Sequence, residues 1–413
     1  MGNRWRMKVM VITSIATGGG VTTAFISSLK MLRGEGHKTL AVVPVGFKYR
    51  NEVDRLADQV VDIVGLQRGG HLALPFQALA LARVASRHRV DRILVINGRF
   101  VSPLKRLQGR PVICNFQGGK AGRAAGADRV MTNNVENQQL LLEAGVAPVK
   151  VGIVDNVLPW EELPPWFERS QRSQPVIGTL RLLEAAKGVD TFIDALALLS
   201  AQNPNFRALI GSDGSLRRQL EQRVRRHRLQ RQVEFLGWLE SAADFYRSID
   251  FYVLPSRTEE WGLGVVEAQA HSLPVIATDC DGPRRLVASG VNGILVPREN
   301  PAALADALLQ LIQTPVDARR IARSGYLSAQ RYLMKNIQKD FVDFVTTEPP
   351  SCAATPRRGG SGIERTVRSV AGPKGAGEVV LLPNSQQAAD PDERTERGHR
   401  QAAPRTRYPR RRR

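Results

Sequence analysis

At 413 residues the chain is long enough for two domains of ordinary size, and its 42% hydrophobic content suits a packed globular protein. Three widely spaced cysteines, Cys114, Cys280 and Cys352, form no CxxC pair, which excludes a disulfide framework and favours a reducing cytoplasm. The formal charge is +20, of which the stretch from Thr346 onward, with 14 Lys and Arg against 7 Asp and Glu, holds only part; the body is basic in its own right, so anionic partners are expected, such as phosphorylated ligands, nucleic acid or an acidic membrane face.

Arg4, Arg6 and Lys8 precede the apolar run VMVITSIA, an arrangement shared with signal peptides. The run is short and β-branched, and it ends in Gly18-Gly19-Gly20 with no small-residue cleavage pattern, so it reads as a buried first strand. No segment reaches the roughly 20 apolar residues needed to span a bilayer. The expected location is the cytoplasm, with peripheral contact on the inner face of an anionic membrane as an option. Beyond KVMVIT come TLAVVP, QVVDIV, RILVI, PVICNF, RVMTNN and KVGIV, separated by segments with helical spacing such as Thr22–Leu32 and Phe76–Val84. This alternation predicts a parallel sheet with helices on both faces.

A Pro- and Trp-rich stretch from Leu158 to Pro175 interrupts the rhythm as a linker would. The pattern then restarts with PVIGTL, FRALIG, QVEFLG, DFYVLP, PVIAT and NGILV, with helices ending near Leu199, His227, His271 and Ile312. The predicted fold class is α/β, with two Rossmann-like parallel-sheet domains facing across a cleft. The boundaries are 1–160 for the first domain, 161–174 for the linker, 175–330 for the second domain, 331–346 for a terminal helix, and 347–413 for a basic tail read as disordered. In open parallel sheets, ligands sit at the carboxyl ends of the strands, so both halves present loops to the cleft.

The chemistry gathers after the strand DFYVL. The loop PSRTEEW carries Glu259, and GLGVVEAQA starts a helix that carries Glu267. The first amides of that helix, around Gly262 to Gly264, lack intrahelical partners and make an anion site that glycine lets a phosphate approach. A carboxylate in the loop suits sugar hydroxyls, and one on the helix suits the vicinal diol of a ribose. After PVIGTL come Arg181 and Lys187, a planar fork and a compact charge, both suited to phosphate oxygens. Taken singly, each of these residues is an ordinary surface charge.

Together, Glu259 and Glu267 around a W-G-L core, followed by PVIATDCDGPRRLVASGVNGILVP, resemble the retaining family-4 glycosyltransferases of GT-B fold (glycosyl transferases group 1). KVMVITSIATGGGVTTAF resembles the first strand and glycine-rich loop of that family, and ADRVMTNNVENQQLLLEAGV with the following DN resembles the close of its N-terminal domain. RLLEAAKGVDTFIDALALL, IGSDGSLRRQLE and VEFLGWL follow its C-terminal domain in order, so the resemblance covers roughly residues 7–345.

The resemblance implies an acceptor-side N-terminal domain, a C-terminal domain that binds a nucleotide-sugar, and a terminal helix packed back on the first domain. It implies a hexosyltransferase of glycan biosynthesis, with a UDP-type donor and a glycan, lipid-linked or small-molecule acceptor. Glu259 would contact the transferred sugar, Glu267 the ribose, and Arg181 and Lys187 the diphosphate. The amides of Leu263 and Gly264 would add hydrogen bonds, Gly19 and Gly20 would let the other domain close, and Phe235 to Trp238, with Gly237 between them, would border the base. No cofactor and no metal would be needed, because the cations and the helix end stabilise the departing diphosphate.

Three positions depart from the family pattern. Gln117 stands where a His is frequent and is kept as a second-rank site residue. Asp281 and Arg285 stand where Gly and Glu are common, and Glu260 adds a charge where Gly or Pro is usual. Asp279 and Asp281 form a DxD, which in a different class of glycosyltransferase holds a metal; here they follow a strand at a loop the family uses structurally. His227 and His271 are isolated and read as solvated or packed. The basic segment from Arg217 to Gln232 reads as one helix with a solvated face, or a face for anionic lipid. The alternatives are a nucleotide-sugar epimerase of the same fold and, in another class, a basic nucleic-acid-binding protein, for which no helix-turn-helix, zinc-finger or aromatic-basic signature is present.

Overall fold

The computed structural model describes residues 6–15, 20–67, 73–107, 109–169 and 172–348. In the first half, β1 (Lys8–Ile12), β2 (Lys38–Pro44), β3 (Gln59–Ile63), β4 (Arg92–Ile96), β5 (Val112–Phe116), β6 (Arg129–Thr132) and β7 (Val151–Ile153) alternate with helices. These are α1 (Gly20–Gly34), α2 (Arg50–Leu56), α3 (Leu74–Arg87), α4 (Val101–Leu107) and α5 (Val135–Glu143). The second half holds β8 (Val176–Leu180), β9 (Arg207–Gly211), β10 (Val233–Gly237), β11 (Phe251–Leu254), β12 (Val275–Thr278) and β13 (Ile294–Val296). Its helices are α6 (Val189–Gln202), α7 (Arg217–Arg226), α8 (Ala242–Ser248), α9 (Leu263–Ala270), α10 (Asp281–Leu286) and α11 (Pro301–Gln313), followed by α12 (Pro315–Ala329) and α13 (Met334–Thr346).

The strands form two parallel sheets, ordered β3-β2-β1-β4-β5-β6-β7 and β10-β9-β8-β11-β12-β13. Each order reverses once, between β1 and β4 and between β8 and β11, and the loops leaving those strands diverge to leave a crevice. Val9 to Ile12 and the whole of β4 and β5 are buried, as strands covered on both faces must be. One apolar core lies under α3 and α4, and another lies under α6 and α11. A third runs continuously from α1 and α13 through Leu158, Trp261 and Tyr332 to α9, joining the two sheets.

Two expectations need correction. The basic run from Arg217 is helical only to Arg226. The apolar positions Leu220 and Val224 are four apart, and a continued helix would next bury Arg228. Instead Arg228 adopts φ 58° and the chain turns so that Leu229 enters the core. The alternation also gave no sign of α12. Its buried face consists mainly of small residues, Ala318, Ala322, Gly325 and Ala329, a weak hydrophobic signal that permits close approach to α9. A Cβ at Gly325 would lie 3.0 Å from Gln269 Cγ. The linker is pinned to the second domain. Arg169 donates to the carbonyls of Tyr246 (2.9 Å) and His271 (3.0 Å), and Tyr326 Oη donates to Pro164 O at 2.9 Å.

After a bridge between Leu158 and Leu333, α13 packs on α1 and β4, burying Phe341, Val342 and Val345. Arg129 donates to Phe344 O at 2.8 Å, and buried Arg92 pairs with Glu348 at 2.6 Å. The reading of the tail falls almost wholly on residues 349–413, outside the described residues. Each fully buried apolar side chain of α13 contributes about 1.5–3 kcal/mol. Ending the chain before Arg331 is therefore expected to lower the melting temperature markedly, whereas a chain ended after Glu348 melts with the full-length protein. Equal melting temperatures for the two truncations would overturn this boundary.

Candidate active site

The reversal point of the second sheet brings the loops after β8 and β11 side by side. Arg181 directly follows β8. Lys187 closes a short helical turn whose next residue, Gly188, has φ 62°; a Cβ there would overlap Pro255 O, so glycine lets this turn press on the β11 loop. Arg257 and Thr258 then donate backbone hydrogen bonds to Ala186 O at 2.9 and 3.3 Å. Arg257 also grips Asp190 through both fork nitrogens, at 2.8 and 2.7 Å. Braced in this way, the loop delivers Glu259 to both cations. Its Oε2 pairs with Arg181 Nη2 and with Lys187 Nζ at 3.2 Å, and Ser256 Oγ lies 3.4 Å away. Burial opposes ionisation of Glu259, but Arg181 and Lys187 outweigh it and hold the carboxyl below its ordinary value. Two cations on one carboxylate leave the trio with a net positive charge.

Helix α9 begins beside this trio. Gly262 caps it at φ 93°, and Leu263 and Gly264 are its first two residues. A Cβ at Gly264 would overlap Tyr252 Oη, so the helix start sits flush on β11. One turn further, Glu267 accepts a hydrogen bond from Tyr246 Oη at 2.8 Å. Burial pushes its carboxyl up to about 7, against the opposing pull of the Tyr246 hydroxyl and of Arg181. Tyr246 in turn stacks on His271 at 5.0 Å, and His271 Nδ1 lies 2.8 Å from Glu267 O, so this histidine is a packing element behind the site.

A cavity of about 360 Å³ opens between the domains. Lys187, Glu259, Glu260, Gly262 and Leu263 line it from one side, and Gly20, Gln117, Asn133 and Asp155 from the other. Arg181 stands behind Glu259 and Glu267 lies deeper along α9; neither lines the cavity. Phe235 and Gly237 end β10, a strand three places from β11 in the sheet, and Trp238 is 67% exposed with Lys48 Nζ from the first domain 5.7 Å above its ring. Gly19 lies outside the described residues. A second cavity of about 210 Å³ lies beneath the linker and contains none of the expected residues.

Around Gln117, the second-rank candidate, the first domain contributes asparagines that sequence reasoning did not select. Gln117 Nε2 donates to Asn115 Oδ1, Asn133 Nδ2 donates to Gln117 Oε1 at 3.1 Å, and Asn97 Oδ1 accepts from Gln117 N at 3.1 Å. The signal was present: asparagines recur at the carboxyl ends of β4, β5 and β6. Arg285 crosses to this wall, donating to Asn133 O and, at 3.3 Å, to Asp155, which Arg331 also holds at 3.1 Å. Asp279 and Asp281 both lie at the surface beside Arg284, at 2.7 and 3.7 Å. Among the described residues, no group of three or more His, Cys, Asp or Glu gathers as metal ligands would.

Residues 174–314 match the family described as Glycosyl transferases group 1. The chain is 36% identical over 188 residues to the D-inositol 3-phosphate glycosyltransferase of Corynebacterium urealyticum, covering 43% of this chain and 44% of that one. It is 35% identical over 155 residues to the phosphatidyl-myo-inositol mannosyltransferase of Mycobacterium leprae, covering 36% and 40%. The chain therefore spans less than half the length of these curated relatives. In three dimensions it is similar to Anabaena HepE in complex with UDP and glucose, with TM-score 0.72 and 20% identity over 83% of this chain and 100% of that one. The fold is thus the two-domain GT-B arrangement.

Glu267 yields a test of the electrostatics. Its folded value, about 7, stands above the ordinary 4.5, so the protonated form is the one that folding favours. The stability it contributes is full below the unfolded value, falls as pH rises towards 7, and is gone above. Relative to Glu267→Gln, the parent is expected to lose thermal stability over that window and to run parallel above it. Parallel pH profiles throughout would overturn the assignment.

Proposed function

We propose that the protein is a retaining glycosyltransferase that moves a sugar from a UDP-type donor to a glycan, lipid-linked or small-molecule acceptor. The observation that carries this reading is the convergence of Arg181, Lys187 and Glu259 beside the start of α9. The cations and the amides of Leu263 and Gly264 take up the charge of the departing diphosphate, Glu259 holds the transferred sugar, and Glu267 accepts the ribose hydroxyls. Neighbouring strands lie about 4.8 Å apart, so Phe235 to Trp238 stand roughly 14 Å from the β11 loop, a separation suited to a base at one end and a sugar at the other. The match to Glycosyl transferases group 1 and the UDP-bound structural neighbour support this reading. Protein-borne cations at the diphosphate make the proposed reaction independent of a metal and of any other cofactor.

Addition of UDP at 100 times its dissociation constant should stabilise the protein by roughly 2.7 kcal/mol, read as a melting shift. Acceptor-dependent release of UDP separates transfer from epimerisation, and turnover should survive excess EDTA. Lys187→Ala and Arg181→Ala are each expected to cut kcat on the order of 10²–10³. Near-normal turnover in both variants would sink the assignment.

The ion pairs make the two glutamates behave differently. Glu259 competes with phosphate for Arg181 and Lys187, so Glu259→Gln should lower kcat yet bind free UDP more tightly. Glu267→Gln should chiefly raise the donor KM. A Glu259→Gln variant with parental kcat, or one that binds UDP more weakly, would count against this division of labour.

A further inference from the structure

Among the described residues, three carboxylates line the cavity between the domains: Glu259, Asp155 and Glu260. Two of them are each held by two cations, Glu259 by Arg181 and Lys187 and Asp155 by Arg285 and Arg331. No ion pair holds Glu260 among the described residues; Lys187, already engaged with Glu259, pulls on it only at a distance.

Glu260 is nevertheless seated. Its backbone carbonyl accepts a hydrogen bond from Asn134 Nδ2 at 2.6 Å, fastening the loop to the first domain. Its carboxylate rests against Gly118, at φ 104°, where a Cβ would overlap both oxygens. Next to that glycine, Gln117, Asn115 and Asn133 supply a neutral wall of amides. Glu260 is exposed at the mouth of the cleft, yet the desolvation it does feel there and the adjacent Glu259 both hold its carboxyl above the ordinary value, which a cationic ligand group would relieve. A neutral sugar satisfies the amides and leaves this charge unmatched, whereas a ligand carrying a cation matches it and is favoured over its neutral twin.

We propose that Glu260 is a specificity-determining residue that selects a sugar-like substrate bearing a primary ammonium group, placed between the Glu260 carboxylate and the Gln117 amide. The proposal rests on the reading of this cleft as a sugar-transfer site. The ammonium belongs to the acceptor or to the transferred sugar, and one experiment separates the two.

Isothermal titration of the UDP-loaded full-length protein with glucosamine and with glucose probes the acceptor side. Titration of the unloaded protein with UDP-glucosamine and UDP-glucose probes the donor side. Both are run at a pH of about 6.5, below the ordinary range of amines and above that of carboxylates. In one of the pairs the amine should bind at least about tenfold more tightly, and the ratio should fall to about one in Glu260→Gln. Gly118→Ser, which displaces the carboxylate, should reduce the ratio as well, and UDP binding by each variant reports that it is folded. No amine preference in either pair, or a preference that both variants retain, overturns the proposal while UDP binding preserves the donor-site reading. A parent that fails to bind UDP overturns both.

Discussion

Two cations share one largely buried carboxylate where the order of the second sheet reverses, and the surrounding structure is arranged to hold them there. A buried ion pair gives little net stability, because desolvation offsets most of the attraction. What it provides here is position. Arg181 is fixed by the end of β8, Lys187 by the left-handed turn at Gly188, and Glu259 by a loop whose Ser256 carbonyl accepts hydrogen bonds from Thr278 Oγ1 (2.6 Å) and Cys280 Sγ (3.0 Å). Cys280 is therefore a brace, buried beneath the loop. The carboxylate keeps the two like charges close together, so that in the proposed reaction an entering phosphate meets cations already placed.

The same loop ties the domains together. Just beyond Glu259, Glu260 binds Asn134 through its carbonyl, and the Trp261 ring meets Tyr332 edge-on at 5.4 Å. A Cβ at Gly282 would overlap the Trp261 backbone, so the start of α10 lies against this loop and carries Arg285 towards Asn133 and Asp155. The residues that hold the two domains thus share a short stretch of chain with the residues proposed to hold the donor. Movement of one domain changes the cavity wall directly, without a relay through either core.

The parallel sheets were legible in the sequence because their central strands are apolar on both faces and their periodicity switches cleanly between strand and helix. The residues around Glu259 were legible because charge, glycine and a helix start follow one another within a single loop. The first-domain wall was harder to read. Asn97, Asn115 and Asn133 meet only because β4, β5 and β6 are neighbours, and asparagine after a strand usually signals nothing more than a turn. Tyr246 and Tyr252 were likewise invisible, since an aromatic in a core segment gives no sign that its hydroxyl will face Glu267 or Gly264. Helix α12 was missed because small residues bury little area and carry little periodic signal.

The basic composition also takes on a different meaning in the folded chain. Arg169 bonds carbonyls at the ends of α8 and α9, Arg223 grips Asp194, Arg257 grips Asp190, and Arg285 and Arg331 converge on Asp155. Many arginines are thus engaged in internal hydrogen bonds, and no separate polyanion track is needed to account for them. Their summed field still favours the approach of an anion. Within the cleft that field has a direction. The end at Arg181, Lys187 and the start of α9 is positive, and the end at Glu260 is negative. A ligand with an anionic diphosphate and a neutral or cationic sugar is favoured in one orientation and opposed in the other, so the charges that attract it also turn it.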